Sequence, residues 1–241
     1  VHRLILLLLI KYKTMEISSS HKIIRIQGKD SLEFLQGQLS NDLELIEKEE
    51  LQKNVICSTK GRIIALLWVK KIDGESFDLI LENTIAEKAF ETLKKYKVFY
   101  KSEMVLLNNE PEGFNIIKIE DWKTNCIKNG LCEINSSTTE IFTPHDLGYQ
   151  NLKIISFDKG CYTGQEVIAR VKYKGSIKKK YISFKINSSE IIDNANINDI
   201  NKKIVGSLVY NSKINNDIFG FGLAKIEYIK EPLELFCKEV R

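Results

Sequence analysis

A chain of 241 residues with 43% hydrophobic and 28% charged side chains has the make-up of a soluble globular protein able to bury a core. Its formal net charge of +4 is small for that length, so charge alone names no nucleic-acid partner. Five cysteines without a Cys-x-x-Cys pair, and three histidines, point to free thiols in a reducing, cytoplasmic setting and away from a resident zinc or iron–sulfur site.

The apolar run Leu4–Ile10 is too short to span a bilayer, and no small-residue cleavage site follows it. Residues 1–14 therefore read as an extension upstream of Met15, and no other run approaches membrane length. His21–Gln27 alternates as a strand. Asp30-x-x-Glu33 predicts a capping box before a short helix carrying Leu32, Leu35 and Leu39. Leu51–Ser58 and Ile63–Ile72 predict strands joined by a turn at Thr59-Lys60-Gly61-Arg62. Asp73-Gly74 predicts a hairpin into Phe77–Leu81. Thr84-x-x-Glu87 predicts a second capping box, before a helix with Ala86, Ala89, Phe90 and Leu93 at core spacing, and Val98–Leu107 a closing strand. The order β-α-β-β-β-α-β is close to a ferredoxin-like split βαβ unit with an added hairpin.

After Pro111 come a strand at Phe114–Ile119 and a helix from about Asp121 that stops at Asn129-Gly130. Beyond Gly175, short strands at Tyr181–Ile186, Ile204–Tyr210 and Phe219–Ile226, parted by Asn/Asp/Ser-rich loops, suggest a small β-barrel or sandwich. The chain divides accordingly into an α+β subdomain over 15–108, a second over 109–175 and a β-rich unit over 176–241.

The stretch Lys159-Gly160-Cys161-Tyr162-Thr163-Gly164-Gln165-Glu166 carries the chemistry. Two glycines bracket the cysteine and let backbone and ligand approach closely. Thr163 is placed to cap a helix over Gln165–Tyr173, with Glu166 completing a capping box. Cys161 then stands just before a helix N-terminus, where amides, dipole and the cations Lys159, Arg170 and Lys172 favour a thiolate. The plainer alternative is a capping Glu166, a packing Tyr162 and an inert cysteine.

That octapeptide resembles, residue for residue, the signature of the YgfZ family and its mitochondrial iron–sulfur assembly relatives. Ile155-Ser156-Phe157, Lys60-Gly61-Arg62 and Phe34-Leu35-Gln36-Gly37-Gln38-Leu39-Ser40-Asn41-Asp42 are similar to the family too, which usually has Thr at Ser40. The resemblance implies a fold like the glycine-cleavage T protein: ferredoxin-like α+β subdomains around a folate channel, with a small C-terminal β-barrel. It makes Cys161 the functional cysteine and implies that Lys159, Gly160, Tyr162, Gly164, Gln165, Glu166 and Arg170 line the channel. Asn41 and Asp42 read equally as channel residues or as a helix-terminating pair. Aminomethyltransferases of this fold carry Gly-Gly-x-x-Asp-Asp, where this chain has Gly61-Arg62-Ile63-Ile64-Ala65-Leu66. Ala65 and Leu66 can neither donate nor accept a proton.

The resemblance thus implies a tetrahydrofolate-binding accessory protein rather than an enzyme. Its expected partners are iron–sulfur assembly proteins and client radical enzymes, including one that methylthiolates tRNA; the chain is expected to act as a monomer. A folate-dependent one-carbon transferase is the alternative. Arg170, Lys172, Lys174, Lys178, Lys179 and Lys180 offer charge for a polyglutamate tail or RNA phosphates, though a solvated face explains them as well. No aromatic ladder accompanies them. His145 invites a comparison with thiol hydrolases, but one histidine beside Pro144 is more often structural.

Overall fold

The computed structural model of the chain describes residues 16–47, 50–107, 114–175, 178–187, 195–199, 201–228 and 234–236. The extension over 1–14, Pro111 and Cys237 lie outside them. Strands β1 (Glu16–Ser18), β2 (His21–Gln27), β3 (Leu51–Cys57), β4 (Ile63–Lys71), β5 (Ser76–Glu82) and β6 (Glu103–Leu107) come first, with helices α1 (Ser31–Gln36) and α2 (Asn83–Lys97) between them. Five of the strands form a sheet in the order β3-β4-β5-β2-β6. Its centre follows from sequence: Ile63–Val69 of β4 is an unbroken apolar run, and each of its residues is buried, as a strand covered on both faces requires. Every pairing in the sheet is antiparallel; β2 and β4, each antiparallel to the β5 that lies between them, run parallel to one another, which is the expected split βαβ arrangement with β3 as the added strand at the edge.

The expected capping boxes do not form. The Asp30 carboxylate accepts the Lys101 amide at 2.7 Å instead of capping α1. At α2 the cap is Glu82, whose carboxylate accepts both the amide and the hydroxyl of Thr84. In both places a neighbouring acid or amide outside the S/T-x-x-E pattern won the contact. The closing strand is also shorter than expected, because 98–102 forms a turn after α2.

Next come β7 (Asn115–Ile117) and α3 (Ile119–Lys128); β7 pairs in parallel with β1. α3 buries Trp122 and Cys126 and ends at Asn129, followed by Gly130 at φ 68°. A buried polar knot joins these parts. The Ser18 amide donates to His21 Nδ1, leaving Nε2 to donate to Glu133 at 2.8 Å, while Trp122 Nε1 donates to the same oxygen at 3.0 Å. The Trp68 and Trp122 rings meet edge-on at 5.0 Å.

The last layer contains β8 (Lys179–Asn187), β9 (Asn196–Asn198), β10 (Ile204–Ile214), β11 (Asp217–Lys225) and β12 (Glu234–Phe236), an antiparallel sheet in the order β12-β9-β10-β11-β8. Tyr210, Phe221 and Leu223 carry it into the main core. Among the described residues no helix is long and apolar enough to cross a membrane.

Burial of ionisable groups sets an alkaline limit. It pushes the Cys57 thiol from 9.0 up to about 12 and raises Cys126, Cys132, Tyr149, Tyr181 and Tyr210 as well. Above about pH 9 the unfolded chain releases protons that the fold retains. Stability is therefore expected to be full below that point and to fall with rising pH, by about 1.4 kcal/mol per unit for Cys57 alone. Urea midpoints taken from about pH 8 to 10 check this; a flat profile contradicts it.

Candidate functional site

Two segments far apart in sequence interlock here. The Lys159 ammonium reaches into the loop after α1 and donates to the carbonyls of Gln36 (2.9 Å), Leu39 (2.8 Å) and Asn41 (2.9 Å). Burial draws this ammonium down to about 8, and the Asp42 carboxylate opposes the fall. All three of its protons have acceptors, which compensates the lost hydration. Five further bonds tie the same two regions. The Thr163 amide donates to the Gly37 carbonyl, and its hydroxyl to Gln38 Oε1. The Ser156 amide donates to the Ser40 carbonyl, Ser40 Oγ to the Ile154 carbonyl, and Asn41 Nδ2 to the Lys153 carbonyl. Ser40 Oγ also accepts the Val55 amide at 2.9 Å, so this position needs a hydroxyl, and serine serves as well as threonine.

On this mounting stands Cys161, a free and exposed thiol. The adjoining helix, α4 (Gln165–Lys174), starts four residues later with Gly164 as its N-cap, without any side-chain cap. The capping box expected from Thr163 and Glu166 is thus absent: the Thr163 hydroxyl is committed to Gln38, and Glu166 is exposed. The Gln165 amide is bonded to the Tyr162 carbonyl. Gly164 has φ 85°, and a Cβ there would lie 2.5 Å from the Ser58 carbonyl oxygen. That close approach seats the helix start on the Thr59–Arg62 turn.

The other motif residues divide by role. Tyr162 is buried, with Lys159 Nζ 5.5 Å from its ring centre. Gly160 is exposed with open space around it. Gln165 is half-buried, and Arg170 projects from α4 into solvent. The Asn41 side chain holds backbone at Lys53 and Lys153, and Asp42 caps the 3-10 turn Leu43–Leu45 through the Glu44 amide. Ala65 and Leu66 are sealed inside β4, paired with Ile56 and Val55.

Two cavities share lining residues, and one of them lies beside the motif loop. One, of about 570 Å³, is bounded by Asn41, Lys153, Ile155, Phe157, Asp158 and Lys172, among others. The other, of about 610 Å³, opens against the C-terminal sheet and includes Lys128, Lys180, Tyr181 and Phe221. Cys161 lines neither; Phe157 and Asp158 bring its loop to the first. Lys172 stands 3.6 Å over the Phe157 ring, and Tyr181 stacks on Phe221 at 4.7 Å. His145 faces both cavities, and its Nε2 is 2.8 Å from the Ile168 carbonyl oxygen. No bond links it to Cys161 among the described residues. Sequence reasoning missed Gln150, Tyr181 and Lys153: they come from separate segments, and no spacing connects them. Among the described residues no cluster of His, Cys, Asp and Glu has the makings of a metal site.

No family model matches the chain. A Haemophilus influenzae protein named only as uncharacterized is 29% identical over 206 residues, covering 71% of this chain and 73% of its own. The tRNA-modifying protein YgfZ of Hamiltonella defensa is 28% identical over 221 residues (65% of each chain), and that of Buchnera aphidicola 25% over 223 residues (67% of this chain, 70% of its own). The chain therefore spans about two thirds of the length of these relatives. Among solved structures, glycine cleavage system aminomethyltransferase T from Bartonella henselae superposes with a TM-score of 0.69 at 13% identity, over 94% of this chain and 82% of its own. The mixed α+β architecture is that of the aminomethyltransferase T fold, and the YgfZ resemblance read from the motifs stands.

Proposed function

From homology to the YgfZ proteins and the aminomethyltransferase T fold, we propose that this chain is a reduced-folate-binding accessory protein. Its exposed Cys161 serves the assembly or repair of iron–sulfur clusters in client enzymes, and any effect on tRNA runs through those clients. The single observation that carries the reading is Cys161 itself: the one exposed thiol among the four described cysteines, held on a loop fixed by eight hydrogen bonds. An inert structural cysteine needs burial, as Cys57, Cys126 and Cys132 have, and needs no such mounting.

The cavities suit the chemistry of a folate, with aromatic walls from Phe157, Tyr181 and Phe221 and cations from Lys153, Lys128 and Lys180. The buried hydroxyl of Tyr181 lacks a hydrogen-bond partner among the described residues, which a polar ligand can supply. Bound there, a folate would bring an anionic tail and a heterocycle, with the C-terminal sheet taken as the barrel that closes the channel. The one-carbon transferase reading is weaker, because Ala65 and Leu66 lie in the core where that chemistry would want a carboxylate.

Cys161→Ser is expected to leave the thermal midpoint within about 2 °C, since an exposed side chain changes little. It is expected to lower client iron–sulfur enzyme activity at least fivefold in a deletion strain under oxidative stress. Full restoration by the serine variant would end the role given to the thiol. Turnover of methylene-tetrahydrofolate by the purified chain would favour the transferase instead.

A further inference from the structure

The two cavities share a partition, and the side chains common to both linings are His145 and Gln150. They are held very differently. His145 is bonded to the Ile168 carbonyl, and its ring stacks with Phe157 at 6.3 Å. The Gln150 carboxamide oxygen is buried and has no hydrogen-bond partner among the described residues. Nearby carboxamides are employed in the fold: Gln36 between Asp42 and Leu43, Asn41 between Lys53 and Lys153.

A buried acceptor without a donor costs the fold about 1–3 kcal/mol, and an apolar side chain of similar length would fill the same wall without that cost. A residue that weakens the fold while standing between two ligand-sized cavities has its explanation in a ligand. The charges on either side of the partition assign the ends. The cavity containing Lys128 and Lys180 has no carboxylate in its lining and suits an anionic tail, whereas the other, alongside Lys153 and Lys172, contains Asp158, a carboxylate able to accept from amino groups.

We propose that Gln150 is the recognition residue of this site: its carboxamide swings out of the partition, joins the two cavities into one slot, and accepts a hydrogen bond from the amino or lactam N–H edge of the ligand's heterocycle. The heterocycle lies on the Asp158 side and the carboxylates on the Lys128 side. This rests on the folate reading and adds the residue that reads the ring and the direction in which the ligand lies.

The test is calorimetric titration of the full chain with 5-formyl-tetrahydrofolate, a stable reduced folate, alongside thermal melting. Gln150→Leu is expected to bind at least fivefold more weakly while melting at the same temperature or higher, since the unpaired acceptor is gone. Affinity lost by less than fivefold, or a melting point lowered together with affinity, overturns the role of Gln150. Gln150→Met, a flexible apolar side chain of similar length, provides the same comparison if the leucine variant fails to fold. Absence of any binding by the folded wild-type chain would instead sink the folate reading itself.

Discussion

Replacing Gly164 with alanine is expected to destabilise the protein by about 3 kcal/mol or more. A non-glycine residue in the left-handed region costs roughly 1–2 kcal/mol, and overpacking against fixed neighbours typically another 1–3 kcal/mol. Both apply, since φ is 85° and the new Cβ would lie 2.5 Å from the Ser58 carbonyl oxygen and 3.2 Å from Cys57 Cβ. Ser58 belongs to the backbone of the turn, so neither partner can yield without lifting the start of α4 off the sheet. Gly160, four residues earlier, is the control. A Cβ there meets nothing within 4 Å, and its φ is not positive, so Gly160→Ala should stay within about 0.5 kcal/mol of wild type. Urea denaturation of the pair decides the matter: equal effects would mean that close packing is not why a glycine stands at 164.

Lys159→Met is the second large effect. It removes the one group that satisfies the carbonyls of Gln36, Leu39 and Asn41 together, and it puts an apolar chain among them. Each unpaired buried carbonyl costs about 1–3 kcal/mol, offset partly by release of a desolvated charge, so a net loss of about 2–4 kcal/mol is expected. Lys159→Arg should not rescue it, because a planar guanidinium cannot direct three protons into a pocket shaped for a tetrahedral ammonium. Chemical denaturation measures the loss, and limited proteolysis should cut the variant near residue 160 first. An arginine variant as stable as wild type would refute the three-carbonyl account.

The elements were legible where burial enforced a period. Ile63–Val69 could only be a covered strand, and the stripe Ala86, Ala89, Leu93 could only face a core. What eluded sequence was contact between distant residues. Asp30 and Thr84 have the right spacing for capping boxes, yet Lys101 and Glu82 reach them first, and neither competitor is part of the pattern. The three-residue strands β1, β9 and β12 are too short to show a period and exist because a neighbour offers an edge. The motif had the same limits. Its resemblance located Cys161 and its neighbours, but Lys159 reads as a ligand-binding cation and turns out to be a brace. Gln150, whose buried acceptor is unused among the described residues, carries no signal beyond its own letter.

The bonds that support Cys161 join residues 112 to 126 positions apart. During synthesis the loop over 36–41 leaves the ribosome long before Lys159 exists. At about 5–20 residues per second, it waits on the order of ten seconds with its carbonyls turned to water. A chain that has not yet folded therefore bears its cysteine on a segment with nothing beneath it. The thiol is presented only once the segments over 36–41 and 153–163 have met, so its presentation marks the docking of these two parts of the chain.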